Sequence, residues 1–364
     1  MNTVEILEGL LDFREKLADE ESRRLFDIRF EYFVHRDVDM LERNIVKEAM
    51  KYKSSAISPA LSRYFNIYPE NIGKKVILFG AGVAGRSTLR TLQLLGIEIL
   101  YVIDNNYESI GEIEGVNVKN PSILKDEKLK EEVYIIVSVG DYKKRLEMYY
   151  QILSYGIKAE NILLLKDGAI WCDYGLQYFD LKDLPLNPKG EIFVDAGCYN
   201  GMSSYNAKIW SNDKLEKVYA FEPDENNYPA CESRIKSLGC EYEMINAATW
   251  SEKTELIFEQ NSFGQASKVS HAGNVHVNAD SIDNVLEGRP VTYIKLDVEG
   301  SELETLKGAA KTIQKHRPKL AISLYHRPED IVTLPLYIET LGMDYTYYIR
   351  HYQTRWCETI LYAF

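Results

Sequence analysis

Hydrophobic residues change their spacing along the chain, from a helical period at the N-terminus to strand-like runs after residue 74. Spacings of three and four positions place side chains on one face of a helix. Such spacings relate Leu7, Leu10 and Leu11, and again Leu25, Phe26, Phe30 and Phe33. Residues 1–70 are therefore predicted to form an amphipathic helical region, and a dimerisation surface is one role for it.

Short β-branched and aliphatic runs then alternate with helical stretches. The runs are KKVILFGAG, EILYVIDNN, VYIIVSVG and NILLL, and the helical patterns cover 83–95 and 141–155. This alternation predicts a small parallel α/β domain over residues 71–167. Residues 168–190 carry prolines and glycines and are expected to be a linker.

A second α/β series follows, over residues 191–364. Strand patterns cover 191–197, 217–223, 241–250, 292–299 and 319–326. The last two runs, 345–352 and 357–364, are separated by only a few residues, so they must pair as an antiparallel hairpin. We therefore expect an α/β chain with two separate sheets.

The composition and charge of the chain argue against some classes of function. Apolar residues make up 45% of the 364 residues, and the net charge is −12 at pH 7. An acidic chain lacks the basic stripe that nucleic acid requires, so nucleic acid is not the expected partner. No apolar run approaches the roughly 20 residues of a membrane helix. The five cysteines are scattered without CxxC pairs, which suits a reducing cytoplasm.

The first glycine loop is GAGVAG, residues 80–85, between a strand and a helix. In a dinucleotide-binding turn, Gly80 would permit the tight turn, Gly82 the approach of a phosphate, and Gly85 close packing of the helix. Asp104 ends the next strand, close to the spacing expected of a ribose-binding acid. The alternative is that these glycines only shape the turn. The segment 74–166 resembles small Rossmann-like domains that precede some bacterial sugar-modifying enzymes, which implies a nucleotide-linked sugar as ligand.

The second glycine loop lies in FVDAGCYNGMSS, residues 193–204. Asp195 ends a strand, and Gly197 and Gly201 shape the loop after it. Glu222 ends the following strand, where a lone acid can accept both hydroxyls of a ribose. A helix-capping role would explain Asp195 or Glu222 singly, but not both together with the closing hairpin.

From residue 168 onwards the chain resembles the FkbM-type methyltransferases. The matching blocks include EIFVDAGCYNG, KVYAFEPDENNY, INAATWS, TYIKLDVEGSELETLKGA and PKLAISLYHRPEDI. The resemblance implies a class I, seven-stranded Rossmann-like domain that binds S-adenosylmethionine. Glu222 would hold the ribose, and Asn246 and Ala247 would lie along the adenine. The implied cofactor-binding residues are Asp195, Ala196, Gly197, Gly201, Glu222, Pro223, Asn246 and Ala247.

Chemistry is expected at the end of the strand that leads into DVEG. Asp297 or Glu299 there, or His326 at the tip of the adjacent strand, can take a proton from an attacking hydroxyl. A polar strand end and a helix cap are the structural alternatives. Ser301 and Glu304 have the spacing of a capping box, which predicts that Ser301 starts a helix. Further expected acceptor contacts are Tyr325, Arg350 and His351.

The sequence thus predicts an S-adenosylmethionine-dependent O-methyltransferase acting on a sugar, a nucleotide-sugar or a related glycan or natural-product precursor. Two acids and a histidine can also bind a divalent cation such as Mg²⁺, so metal dependence is left open. The alternatives are a nicotinamide-dependent oxidoreductase, or a nucleotide-sugar-binding protein, that uses the GAGVAG domain while the C-terminal domain is non-catalytic. A homo-oligomer is also left open.

Overall fold

The computed structural model describes residues 3–45, 47–48, 75–94, 97–130, 132–165, 177–259, 268–269, 275–353 and 355–364. Residues 49–74 of the expected helical region and 166–176 around the expected linker lie outside the described residues. The chain divides into two compact units. One comprises residues 1–36, 174–351 and 357–364, and the other comprises 37–173 and 352–356. The domain bounds given above stay predictions.

Two helices open the chain, α1 (Thr3–Lys16) and α2 (Glu20–His35). The side chain of Asp19 caps α2 by accepting a hydrogen bond from the Ser22 backbone N–H. Leu25 and Phe26 are buried, as their helical spacing predicted. Among the described residues, no helix has the length and apolar composition needed to cross a membrane.

The smaller α/β unit alternates strands and helices as expected. Its elements are β1 (Lys75–Phe79), α3 (Val83–Leu94), β2 (Ile99–Ile103), α4 (Tyr107–Ile110), β3 (Glu112–Ile113), β4 (Val116–Lys119), α5 (Glu127–Lys130), β5 (Val133–Val137), α6 (Tyr142–Ser154) and β6 (Ile162–Leu164). The strand order is β3-β4-β2-β1-β5-β6. All neighbours are parallel except β3 and β4. The predicted small parallel domain is confirmed.

The second α/β series forms the larger sheet and its helices. Its elements are β7 (Glu191–Ala196), α7 (Met202–Trp210), β8 (Leu215–Phe221), α8 (Tyr228–Lys236), β9 (Glu241–Ile245), β10 (Ala248–Thr249), β11 (Thr254–Glu259), β12 (Lys268–Val269), β13 (Val275–Asp280), α9 (Ile282–Leu286), β14 (Tyr293–Leu296), α10 (Glu302–Lys307), α11 (Ala310–His316), β15 (Lys319–Ser323), α12 (Asp330–Thr340), β16 (Tyr347–His351) and β17 (Thr359–Ala363). The sheet has seven strands in the order β16-β17-β15-β14-β7-β8-β9. Strand β17 is antiparallel to both β15 and β16, and the other neighbours are parallel. This is the predicted class I architecture, with the closing hairpin in place.

The order of the strands positions the site. The first strand of the domain, β7, lies between β14 and β8, so the chain reverses its direction of winding there. Ligands of open α/β sheets bind outside the carboxyl ends of the strands at such a switch point. The ends of β7, β8, β14 and β15 are therefore the place to look for chemistry.

Two local expectations were wrong. The strand expected over 292–299 ends at Leu296, so Asp297 and Glu299 lie in the turn after it. Glu299 has a φ of +56° and Gly300 a φ of +92°, which no strand accommodates. The strand expected over 241–250 ends at Ile245, and Ala248–Thr249 instead joins a separate four-stranded sheet, β10-β13-β11-β12.

Helices α1 and α2 pack on the hairpin edge of the large sheet, within the same compact unit. The Phe13 ring lies 4.8 Å from that of Tyr347 on β16. The Ala18 N–H donates to the Tyr347 carbonyl at 2.9 Å. Their apolar face therefore covers an edge strand of the sheet, which offers a structural role for the predicted amphipathic pattern.

Candidate active site

The loop of residues 195–201, here called the cofactor loop, connects β7 to α7. Gly197 has a φ of +76°, and a Cβ there would stand 1.9 Å from the Asp297 backbone oxygen. Gly201 has a φ of +75°, and a Cβ there would stand 3.3 Å from the Cys231 carbonyl oxygen. Only glycine fits at position 197, because the loop backbone touches the end of β14 directly.

Asp195 holds this loop in place through hydrogen bonds and an ion pair. Its Oδ2 accepts hydrogen bonds from the Ser203 and Ser204 hydroxyls, both at 2.6 Å. Its Oδ1 lies 3.2 Å from the Lys295 Nζ, which also donates to the Gly197 carbonyl at 2.6 Å. Burial lowers the pKa of Lys295, but the negative charges of Asp195 and Asp297 and the hydrogen bond to Asp195 together outweigh this effect, and the pKa is raised. Because Asp195 is fully buried, it fixes the shape of the loop rather than facing solvent.

Glu222 stands directly after β8, at the carboxyl end of the strand. One carboxylate oxygen accepts the Tyr199 backbone N–H at 2.8 Å, and the other accepts that of Asp224 at 2.9 Å. Burial raises the pKa of Glu222. The Asn227 side chain also hydrogen bonds to this carboxylate. A carboxylate can accept about four hydrogen bonds, so these three donors do not saturate it.

The remaining expected cofactor positions surround Glu222. Pro223 follows it directly in the chain. The Asn246 side-chain amide donates to the Glu222 carbonyl at 3.2 Å, and Ala247 is buried beside it. The structure therefore brings the ends of β8 and β9 together, as the sequence implied.

Asp297 lies at the end of β14 and is held by three hydroxyl groups. The donors are the Ser323 hydroxyl at 2.9 Å, the Tyr325 hydroxyl at 3.1 Å and the Tyr178 hydroxyl at 2.9 Å. Burial would raise the pKa of Asp297, but the positive charges of Lys295 and His326 outweigh it and lower the pKa. Asp297 is therefore a fixed carboxylate at neutral pH.

His326 lies beside Asp297, three residues after β15, because the strand expected over 319–326 ends at Ser323. Its Nδ1 is 2.8 Å from Oε1 of Glu302. Its Nε2 is 3.5 Å from Oδ1 of Asp297 and 3.6 Å from Oε2 of Glu299. Burial opposes the charged ring, but Glu302 and the other two carboxylates raise the pKa of His326 to about 10. Asp297, Glu299 and His326, expected to work together, do lie together.

Glu302 was not expected from the sequence. The structure contradicts the capping box predicted for Ser301 and Glu304, because the Ser301 side chain makes no capping hydrogen bond. Glu302 instead accepts the Val298 backbone N–H at 3.0 Å and contacts His326. It is fully buried. An acid in the first turn of a helix is common because it complements the helix dipole, so the sequence carries no signal for the contact of Glu302 with His326.

Tyr178 was also missed, because it belongs to the segment expected to be a linker. The Gln177 side-chain amide donates both to the Tyr178 hydroxyl at 3.1 Å and to Glu358 Oε2 at 2.5 Å. Burial and the charge of Asp297 raise the pKa of Glu358 to about 7. Glu358 therefore adds a second carboxyl to the network around Asp297.

Two expected acceptor contacts have other partners. Arg350 forms ion pairs with Asp19 at 2.5 Å and with Glu21 at 3.3 Å. His351 is fully buried, and its Nδ1 lies 2.9 Å from the Thr359 hydroxyl. The described contacts of Arg350 join the hairpin to the start of α2. The described contact of His351 joins the two strands of the hairpin. The expected contact of Tyr325 differs, since its hydroxyl reaches Asp297.

The GAGVAG loop of the smaller unit is shaped by its own glycines. Gly80 has a φ of +115°, and a Cβ on Gly85 would stand 1.9 Å from the Gly80 oxygen. A Cβ on Gly82 would meet no atom within 4 Å. Asp104 accepts the Ala81 N–H through Oδ2 at 2.8 Å, which ties the loop to the end of β2.

A cavity of about 430 Å³ opens at the ends of β2 and β4 in the same unit. Its lining residues are Tyr107, Val118, Lys119, Asn120, Ser122 and Ile123. The Asp104 N–H donates to the Lys119 carbonyl at 3.2 Å, so Asp104 links the cavity to the glycine loop.

Two family models match separate parts of the chain. Residues 195–348 match the methyltransferase FkbM domain, and residues 75–152 match the PglD N-terminal domain. A comparison with curated proteins gave no match.

Two solved structures are among those similar to this chain. The crystal structure of methyltransferase FkbM from Methylobacillus flagellatus KT is 19% identical, with a TM-score of 0.49, over 87% of this chain and 100% of that one. Fibrillarin from Aeropyrum pernix, solved with natively bound S-adenosyl-L-methionine, is 9% identical, with a TM-score of 0.35, over 51% of this chain and 71% of its own.

Proposed function

Because this chain carries an FkbM methyltransferase domain, we propose that it transfers the methyl group of S-adenosylmethionine to a hydroxyl of a sugar or nucleotide-sugar. The observation that carries the proposal is the contact between the cofactor loop and the end of β14 at Gly197. This contact brings the loop that is expected to bind the cofactor directly beside the carboxylate of Asp297. A methyl donor and a hydroxyl acceptor bound at these two places would be neighbours.

The cofactor loop and Glu222 fit the nucleoside end of S-adenosylmethionine. The two oxygens of Glu222 suit the two ribose hydroxyls, with one hydroxyl taking the acceptor position that the Asn227 side chain now occupies. The glycines at 197 and 201 leave the loop backbone without side chains toward a bulky ligand. When bound, the cofactor supplies an electrophilic methyl group on a sulfonium.

The acceptor side must receive one proton. The hydroxyl oxygen forms a bond to the methyl carbon, the carbon–sulfur bond breaks, and its electron pair stays on sulfur. The hydroxyl proton passes to a carboxylate, and Asp297 and Glu299 are the two candidate acceptors of this proton. His326 lies between these two carboxylates, with its Nε2 3.5 Å from Asp297 and 3.6 Å from Glu299. Such proton transfer contributes roughly 10²- to 10⁴-fold to a rate.

Binding of S-adenosylhomocysteine tests the cofactor proposal. Each hydrogen bond to a charged group contributes about 1.5–3 kcal/mol. Loss of two such bonds in Glu222→Ala should weaken binding roughly 100-fold or more. Glu225→Ala removes an exposed acid three positions away and serves as the control. Equal affinity of Glu222→Ala and the control, measured by calorimetry, would contradict the ribose contact.

For the smaller unit, we propose a nucleotide-sugar as ligand. The N-terminus of α3 behind GAGVAG favours a phosphate, and the cavity beside Asp104 has room for a base. A nicotinamide cofactor is the second candidate, because the same loop geometry suits a pyrophosphate. A thermal-shift titration with nucleotide-sugars and nicotinamide cofactors separates the two.

A further inference from the structure

We propose that a first-row transition-metal dication binds at the ends of β14 and β15, ligated by His326 Nε2 and the Asp297 carboxylate and completed by Glu299. The ion site rests on the placement of these residues alone. Its catalytic role rests on the proposed function.

The distances around His326 Nε2 suit shared ligation better than hydrogen bonding. Nε2 lies 3.5 Å from Asp297 Oδ1 and 3.6 Å from Glu299 Oε2. Hydrogen bonds from nitrogen to oxygen span about 2.7–3.2 Å. Two atoms that each bind one ion at about 2.1 Å stand roughly 3–3.5 Å apart at tetrahedral or octahedral angles. The His326 side chain is only 9% exposed, and among the described residues its Nε2 makes no hydrogen bond.

Glu302 provides an independent observation. It occupies the other ring nitrogen, with Oε1 2.8 Å from Nδ1, and it is itself fixed by the Val298 N–H. A histidine that ligates a metal usually donates its second N–H to such a carboxylate, which fixes the ring and raises its basicity. Potential ligand atoms of Asp297, Glu302 and His326 all lie within 4.8 Å of one another.

The local charge also favours a cation. Three carboxylates, those of Asp297, Glu299 and Glu302, lie within 4 Å of one imidazole. The nearby Lys295 already forms an ion pair with Asp195 and donates a hydrogen bond to the Gly197 carbonyl. Burying unbalanced carboxylates is unfavourable, and a divalent cation would offset them.

Glu299 has the most exposed side chain of the three proposed ligands. Its side chain is 51% exposed, while Asp297 is held by three hydroxyls and His326 by Glu302. A small rotation of Glu299 toward Nε2 would complete a three-ligand face and leave the other positions to the acceptor or water.

The imidazole ligand decides the class of ion. Mg²⁺ prefers oxygen ligands and keeps several waters. A set of one imidazole and two carboxylates suits Mn²⁺, Fe²⁺, Co²⁺ or Zn²⁺. The ion would bind the acceptor hydroxyl and lower its pKa, so that the proton leaves more easily.

Titration of the metal-stripped full-length protein with Mn²⁺, followed by electron paramagnetic resonance, tests the site. We expect one ion per chain, and at least roughly tenfold weaker binding in Asp297→Asn and His326→Gln. His276→Gln is the matched control, because His276 forms an exposed pair with Glu255 at 3.0 Å and its loss should leave binding unchanged. Mg²⁺ should compete poorly.

A second measurement does not depend on variants that fold. Bound Mn²⁺ should broaden the imidazole NMR signals of His326, and not those of His276, in the unaltered protein. No stoichiometric binding, or binding that leaves the His326 signals sharp, would overturn the site. S-adenosylhomocysteine binding is measured on the same samples. If it persists while Mn²⁺ fails to bind, only the ion site falls; if it is absent, the proposed function falls.

Discussion

Asp297 shows how a single residue can be fixed before its ligand arrives. Three hydroxyls reach its carboxylate from β15, from the segment after it, and from Tyr178. Groups that are already oriented need no reorganisation at the moment of reaction. The nearby positive charges keep the pKa of Asp297 low, so it stays ionised at neutral pH.

We expect Asp297→Asn to lower turnover by roughly 10²- to 10⁴-fold, because the substitution removes the charge while it keeps the size of the side chain. Its NH2 group can no longer accept a hydroxyl hydrogen bond. S-adenosylhomocysteine affinity should stay unchanged, since Glu222 is untouched. Release of S-adenosylhomocysteine is measured with sugars and nucleotide-sugars as acceptors. Glu304→Gln, on the exposed side of α10, is the control. Turnover of Asp297→Asn equal to that of the control would show that the chemistry lies elsewhere.

At the scale of an element, the cofactor loop depends on one close backbone contact. The strand β14 ends beside the loop, and the gap between them admits no Cβ at residue 197. Gly239 has a similar φ of +73°, but a Cβ there would meet no atom within 4 Å. Both glycines have a positive φ, which is unfavourable for other residues, but only at Gly197 would a Cβ also clash with a neighbouring atom.

We therefore expect Gly239→Ala to cost roughly 1–2 kcal/mol, the strain of a left-handed residue. Gly197→Ala should cost several kcal/mol more and weaken S-adenosylhomocysteine binding, because the loop must move away from Asp297. Chemical denaturation of both variants measures the difference. Equal unfolding free energies would contradict the close contact.

At the scale of the molecule, the chain carries two α/β units, each with its own glycine loop after its first strand. The cofactor loop touches β14, whereas the GAGVAG loop is tied to β2 by Asp104. The two loops therefore belong to separate candidate sites, and a substitution in one should leave ligand binding at the other unchanged.

Gly82→Val tests this separation. A Cβ at residue 82 would meet no protein atom within 4 Å, so the fold should tolerate the substitution. It would obstruct a phosphate on the loop, and nucleotide-sugar affinity should fall at least roughly tenfold through the clash. S-adenosylhomocysteine affinity should stay the same. Isothermal titration with both ligands measures this, and an unchanged nucleotide-sugar affinity would leave the loop a structural role.

Local patterns predicted the strands, the hairpin and the two glycine loops because each depends on neighbours in sequence. They did not predict Tyr178, whose hydroxyl bonds to a carboxylate 119 positions away. They assigned the first turn of α10 to a capping box, because the tertiary contact between Glu302 and His326 leaves no local pattern. The sheet formed by β10–β13 was missed for the same reason, since its strands are short and pair across loops.

The contact of Gly197 with the Asp297 oxygen also has a kinetic consequence. A cofactor bound on the cofactor loop would fix the backbone of Asp297, whose carboxylate is proposed to contact the acceptor. The acceptor should therefore bind after the cofactor. Steady-state analysis should then show a compulsory order, with S-adenosylhomocysteine competitive against the methyl donor and noncompetitive against the acceptor. An acceptor that binds equally well with and without S-adenosylhomocysteine would instead indicate random entry.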